Sequence, residues 1–215
     1  MAALLLPARL ESQLGWRHEG VSQTLAIGIE VLDFQLDGVP RGRITEISGP
    51  LCSGRTTVVH RLMAAAGAEG EYCALVDAAN AFDPATARAA GVRLERLVWV
   101  RCGGDLEHAF RATDLLVHSG GFGLVVLDLC DIAEENLRRI PASYWFRFRR
   151  AIESTPTILL VAAERPPARS CASLSITAER TAADFSGRLF RRARYRLERR
   201  KPAVARAAEV EVACV

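Results

Sequence analysis

The chain has 215 residues and a formal net charge of +3, long enough for one α/β-sized domain and too short for two large ones. Half of it is hydrophobic and a quarter charged, which excludes a disordered or fibrous chain and leaves an ordinary globule. All but one of the 28 basic residues are arginine, the lone lysine being Lys201; any mechanism that needs a lysine elsewhere, as Schiff base, general base or phosphate ligand, is excluded.

Residues 1–27 read as a lead-in segment, in which Leu4, Leu5, Leu6, Leu10 and Leu14 line one face of a short helix. A single core domain is expected over 28–215. The apolar run of the lead-in has no basic residue before it, and no apolar stretch reaches membrane-spanning length, so a soluble cytoplasmic protein without membrane contact is expected. A turn-rich stretch at 28–42 hands over to a strand at 44–48. The spacing then predicts a helix over 56–66, a strand at 73–76, a short helix at 84–90 and a strand at 97–100. A helix over 105–118, a strand at 124–127 ending in Asp128, a helix over 143–154 and a strand at 157–161 follow. Strand and helix alternating at this spacing make an α/β fold, a mainly parallel sheet with helices on both faces. Beyond residue 170 the alternation stops. Segments 174–178, 190–200 and 210–215 read as antiparallel C-terminal strands added at the far edge of the sheet.

Six cysteines, at 52, 73, 102, 130, 171 and 214, form no CxxC pair and fit neither a zinc site nor a disulfide framework. They are expected to be reduced and structural, and no zinc is expected. The four histidines, at 18, 60, 108 and 118, show no ligand spacing.

Chemistry enters at Gly49-Pro50-Leu51-Cys52-Ser53-Gly54-Arg55-Thr56-Thr57. A phosphate-binding loop reads GxxxxGK[ST] between a strand and a helix, and every position matches except Arg55, where lysine belongs. Gly49 and Gly54 let the backbone turn its N–H groups toward an anion at the helix N-terminus. Ser53, Arg55, Thr56 and Thr57 complete the candidate phosphate site, with the Thr56 hydroxyl placed for Mg2+. The apolar strand ending in Asp128 is the partner motif, whose carboxylate holds the magnesium shell. ATP and Mg2+ are the cofactors this pair of motifs implies. Lysine brings a compact point charge to the phosphates, whereas arginine is a larger rigid fork, so γ-phosphate geometry is expected to be disturbed.

Several runs resemble the RecA-type recombinases. Gly38-Val39-Pro40-Arg41-Gly42-Arg43-Ile44-Thr45-Glu46-Ile47-Ser48-Gly49-Pro50 is similar to the segment entering that family's phosphate loop, and Leu32-Asp33 stands where the family has a Leu-Asp pair. Val76-Asp77-Ala78-Ala79-Asn80-Ala81-Phe82-Asp83-Pro84 is similar to its "IDAEHALDP" run. The likeness is collinear from about 28 to 165. It implies a RecA-like fold, with Asp83 as the residue contacting adenine. Where the family has a water-activating glutamate this chain has Ala79, which can neither accept a proton nor orient water. Thr86 stands where an aromatic would stack on the base. Between the strand at 157–161 and Leu174 too few residues lie for a recombinase DNA loop, and the family's N-terminal packing region and C-terminal domain are expected to be absent or reduced.

This combination resembles ImuA-like proteins, through Val76 to Pro84, Leu97 to Gly104, Gly120 to Leu129 and Pro141 to Arg147. The resemblance implies a hydrolysis-deficient accessory protein of the SOS response and SOS mutagenesis, acting in error-prone translesion synthesis after DNA damage. Its implied partners are a catalytically inactive Y-family-like polymerase, an error-prone replicative-type polymerase and a RecA-type recombinase. The alternative is a minimal RecA-type DNA-dependent ATPase of repair or recombination, with Asp77 or another acid as base.

Two surfaces complete the reading. The basic tract containing Arg192, Arg194, Tyr195, Arg196, Arg199, Arg200 and Lys201 is a candidate nucleic-acid or acidic-partner contact, or a plain charged surface. Read as a strand, it puts Ala193, Tyr195 and Leu197 on one face and the arginines on the other, as in a half-buried edge strand. Tyr144, Trp145, Phe146 and Phe148 are candidates for core packing or for docking a partner.

Overall fold

The computed structural model describes residues 23–202 and 206–213. The helix expected over Leu4 to Leu14 lies outside the described residues. Among the described residues ten strands and six α-helices follow one another, the first strand pairing only with the second. Thr24–Leu25 (β1) and Val39–Pro40 (β2) form a small antiparallel pair around the helix Glu30–Leu36 (α1). That helix lies inside the stretch expected to be turns. The Asp33 carboxylate makes it possible, accepting the N–H groups of Ile27 and Gly28 at 2.5 and 3.0 Å and so fixing the chain's entry. Leu25 and Ile27, placed in the lead-in by the sequence, are core residues.

The main sheet has eight strands. Its parallel part contains Ile44–Ser48 (β3), Cys73–Asp77 (β4), Leu97–Arg101 (β5), Leu124–Asp128 (β6), Ile158–Ala163 (β7) and the start of Leu174–Ser186 (β8). Leu189–Lys201 (β9) and Arg206–Ala213 (β10) continue it antiparallel, giving the order β10-β9-β8-β3-β7-β6-β4-β5. Helices Arg55–Ala68 (α2), Pro84–Ala89 (α3), Leu106–Ser119 (α4), Glu134–Leu137 (α5) and Ser143–Ile152 (α6) join the strands.

Period-two alternation assigns the strand side chains to two cores. Cys73 and Leu75 of β4 pack with Val58, Leu62 and Met63 of α2 on one face. Ala74 and Val76 pack with Phe110 and Val117 of α4 and with Trp145, Phe148 and Ile152 of α6 on the other. Burying each large side chain here is worth about 1.5–3 kcal/mol. Asp105 caps α4 by accepting the His108 N–H at 3.0 Å, and Asp83 caps α3 through Ala85 and Thr86, each at 3.1 Å.

The C-terminal strands also differ from the sequence reading. β8 runs on from Ala178 to Ser186, because every residue but Thr181, which bulges out between Arg180 and Ala182, finds a partner on β9, although Glu179 to Ser186 has no apolar alternation. β9 keeps the expected faces, with Ala193 and Leu197 buried, but it is not an edge strand: β10 pairs along its outer side.

Candidate phosphate-loop site

β3 ends at Ser48, and the chain turns through Gly49–Gly54 into α2. The turn has left-handed backbone at Cys52 (φ 60°) and at Gly54 (φ 92°), the residue capping α2. Inside the loop the Ser53 N–H donates to Pro50 O at 3.2 Å, and the Gly49 N–H donates to Glu164 O at 3.1 Å. The two glycines also answer to the rest of the fold. A Cβ on Gly49 would lie 2.1 Å from the Ala178 carbonyl oxygen of β8, and one on Gly54 would lie 3.0 Å from the Tyr195 ring of β9. Sequence reasoning accounted for these glycines by the anion alone. Their packing against strands more than a hundred residues away was invisible to it.

Arg55 does not project into solvent. It is 5% exposed, and its Nη1 has no hydrogen-bond partner among the described residues. Ser53 is equally buried, with its hydroxyl unpartnered. Two orphaned buried polar atoms at a helix N-terminus fit an anion such as a phosphate oxygen. Thr56 is exposed beside them.

The candidate metal ligand is placed differently. Asp77 and Asp128 stand side by side at the ends of β4 and β6. Burial raises the Asp128 pKa above the ordinary carboxylate range, opposed by its bonds to the Cys130 side chain and N–H, the latter at 3.0 Å. Burial also pushes the Cys130 thiol up, helped by Asp128 and opposed by the Arg55 charge. Asp77, offered above as a substitute base, is committed elsewhere. Its Oδ1 accepts the Ala81 N–H at 2.9 Å, and its Oδ2 accepts the Phe82 N–H at 3.0 Å and the Trp99 Nε1–H at 3.1 Å. It holds the 78–83 loop. Ala79 is half-buried on that loop and brings no carboxylate. Asp83 is exposed, and both its oxygens cap α3. Thr86 turns its hydroxyl to Asp83 as well.

The basic tract lies on β9 but is not a row of free cations. Arg192 bonds Asp184 and Glu211, both at 3.1 Å, Arg194 lies 3.9 Å from Glu211, and Arg196 lies 3.3 Å from Glu209. Arg200 pairs with Glu198 at 3.2 Å. Such exposed pairs add about 0–1 kcal/mol each, but they neutralise the strand's solvated face. Asp184 comes from β8 and Glu209 and Glu211 from β10, so the run of arginines, whose one acid is Glu198, could not reveal them. The Arg199 Nε is buried without a partner among the described residues, and Tyr195 is half-buried against Gly54 rather than free to stack. Lys201 donates to Ser170 O at 3.0 Å and to Ala172 O.

Those carbonyls belong to the connection 164–173 after β7. A residue the sequence did not single out, Glu46 of β3, anchors it from beneath by accepting the N–H groups of Ala168 and Arg169. Glu46 is 1% exposed, and burial raises its pKa to about 7. The only hint was that Glu46 is the one charged residue within the strand expected at 44–48.

Residues 12–134 match the RecA N-terminal domain, which is more than half of the chain. The chain belongs to that family. Protein RecA of Rickettsia canadensis (strain McKiel) is 40% identical over 118 residues, and protein RecA of Rickettsia bellii (strain OSU 85-389) is 38% identical over 118 residues. In each case the match takes in 54% of this chain and 34% of the relative. The chain thus spans about a third of the length of these curated relatives. Within the RecA N-terminal domain match lie the phosphate loop, Asp77, Ala79, Asp83 and Asp128. The tract on β9 lies beyond it. Among the described residues no helix is long and apolar enough to cross a membrane, and no group of three or more His, Cys, Asp or Glu side chains converges on a metal position.

Proposed function

We propose that this RecA-fold chain is an ImuA-like accessory protein of the DNA-damage response, serving error-prone translesion synthesis through protein contacts rather than ATP turnover. One observation carries the reading: the 77–83 segment has no carboxylate free to activate water. Ala79 has none to offer, and both oxygens of Asp77 hold the loop. The buried Arg55, a rigid fork where a compact lysine charge would reach the phosphates, supports it as well.

Gly49, Ser53, Gly54, Arg55, Thr56 and Thr57 would hold the phosphates of a bound nucleotide, with Thr56 and Asp128 nearest its Mg2+ and Asp83 toward the base. Bound ATP would supply a ligand that orders the loop. A catalytically inactive Y-family-like polymerase, an error-prone replicative-type polymerase and a RecA-type recombinase are the partners proposed. The neutralised face of β9 favours protein contacts over a DNA groove there.

The test is ATP turnover by the purified chain with and without single-stranded DNA. No turnover above background is expected, with or without DNA. Turnover stimulated by DNA and abolished by Asp128→Ala would instead establish the minimal ATPase.

A further inference from the structure

The hairpin of β8 and β9 reaches well past the sheet that carries it. Among the described residues, β3 pairs only with residues 174–177 of β8, and β10 reaches along β9 only as far as Arg192. From Glu179 outward, β8 has β9 as its sole strand neighbour among the described residues. This arm is exposed along almost its whole length. It ends in the two-residue turn Gly187-Arg188, where Gly187 takes φ 62°.

Its tip is apolar. Phe185 and Phe190 face each other across the ladder with ring centroids 5.6 Å apart, 56% and 38% exposed, and Leu189 is 69% exposed. Three large apolar side chains on a free two-stranded arm gain nothing from this chain's own core. The register slips by one residue between Asp184 and Phe185, which leaves Arg191 without an opposite number. Arg191 and the turn residue Arg188 have no carboxylate within ion-pair distance among the described residues, whereas Arg192, Arg194 and Arg196 further down each have one. The arm is neutralised along its shaft and cationic at its tip.

We infer that the tip is a docking element for a partner protein that offers an apolar pocket rimmed by carboxylates. The two rings meet edge to face at 69° and so form a knob rather than a stacking platform, and Leu189 is aliphatic. Both features suit a protein pocket better than bases, which stack on open ring faces. A second copy of this chain does not fit. Its cleft lined by Leu137, Ile140, Trp145 and Pro166 carries Arg138, Arg165 and Arg169 against one Glu134, the same sign as the tip. The inference rests on the accessory reading in that it requires a protein partner.

The test incorporates a photo-crosslinking amino acid at Leu189 and, in a second strain, at the exposed Leu115 of α4, in the full chain in cells. Leu189 is expected to crosslink one protein, through a peptide in which apolar residues are flanked by Asp or Glu. That protein, purified, should bind the full chain about tenfold more weakly after Phe185→Ser with Phe190→Ser, and likewise after Arg188→Glu with Arg191→Glu. All four positions are exposed, so the melting temperature serves as the folding control. Crosslinks from Leu189 to nucleic acid, to a second copy or to nothing would overturn the inference, as would tip variants that bind unchanged. If Leu115 captures a protein and Leu189 does not, only the arm's role fails. If neither captures a protein and ATP is turned over, the accessory reading fails with it.

Discussion

The Tyr195 ring fills the space that a side chain on Gly54 would need, 3.0 Å from the position of its Cβ. The capping residue of the phosphate-loop helix is therefore locked to a strand that begins far along the chain. Gly54→Ala combines this clash with a left-handed backbone at φ 92° and should cost about 2–4 kcal/mol. In a Tyr195→Ala background only the backbone strain remains, so the cost should fall by about 1 kcal/mol. Urea unfolding of the two single variants and the double variant measures the coupling; strict additivity would show that the contact has no energetic weight.

Asp77 gathers three donors, from Ala81, Phe82 and Trp99, while 1% exposed. Asp77→Ala strands three donors and should destabilise the chain by about 3 kcal/mol, whereas Asp77→Asn, which keeps one oxygen, should cost about half as much. Chemical denaturation reads both. A substitution without effect on stability would return Asp77 to the list of chemical groups.

Glu46 links stability to pH. Burial raises its folded pKa from 4.5 to about 7, with the Ala168 and Arg169 N–H groups and then Lys201 opposing. The folded state thus binds this proton more tightly than the unfolded chain. Its contribution is fully present below about pH 4.5 and disappears as pH rises through 7, a loss on the order of 3 kcal/mol. Glu46→Gln keeps an acceptor for both N–H groups and removes the titration. The melting temperature of the natural chain should fall relative to Glu46→Gln between pH 5 and pH 8, as calorimetry across that range will show. The buried His60, whose pKa is lowered mainly by desolvation, titrates in both proteins and cancels in the difference.

Neighbouring aromatics of α6 should answer differently. Phe148 is fully buried between Phe110, Tyr144 and Trp145, while Phe146 is 56% exposed. Phe148→Ala should cost about 3–5 kcal/mol and Phe146→Ala within about 0.5 kcal/mol. Thermal melts of the two variants are sufficient. Equal losses would mean that Phe146 carries a packing role its exposure conceals.

The parallel core was legible because its signals are local. Apolar runs such as Cys73–Val76 and Leu124–Leu127, the Asp83-Pro84 opening of α3 and the Gly120 stop of α4 each act within a few residues. α1 was missed because its start depends on Asp33 reaching back to Ile27 and Gly28 rather than on a side-chain cap at its first residue. The outer half of β8 was missed because pairing, not burial, holds it extended.

By itself the sequence determined the RecA-like layout, the arginine in the phosphate loop and the alanine at 79, since each is a matter of which residue stands where. Only the tertiary structure decided what those groups can reach. It turned Arg55 inward, gave Asp77 to the 78–83 loop, set Tyr195 against Gly54 and paired the β9 arginines with acids from β8 and β10. The reason is physical: charge and hydrogen-bonding capacity belong to a residue, but whether they are free depends on partners the sheet brings in from far along the chain.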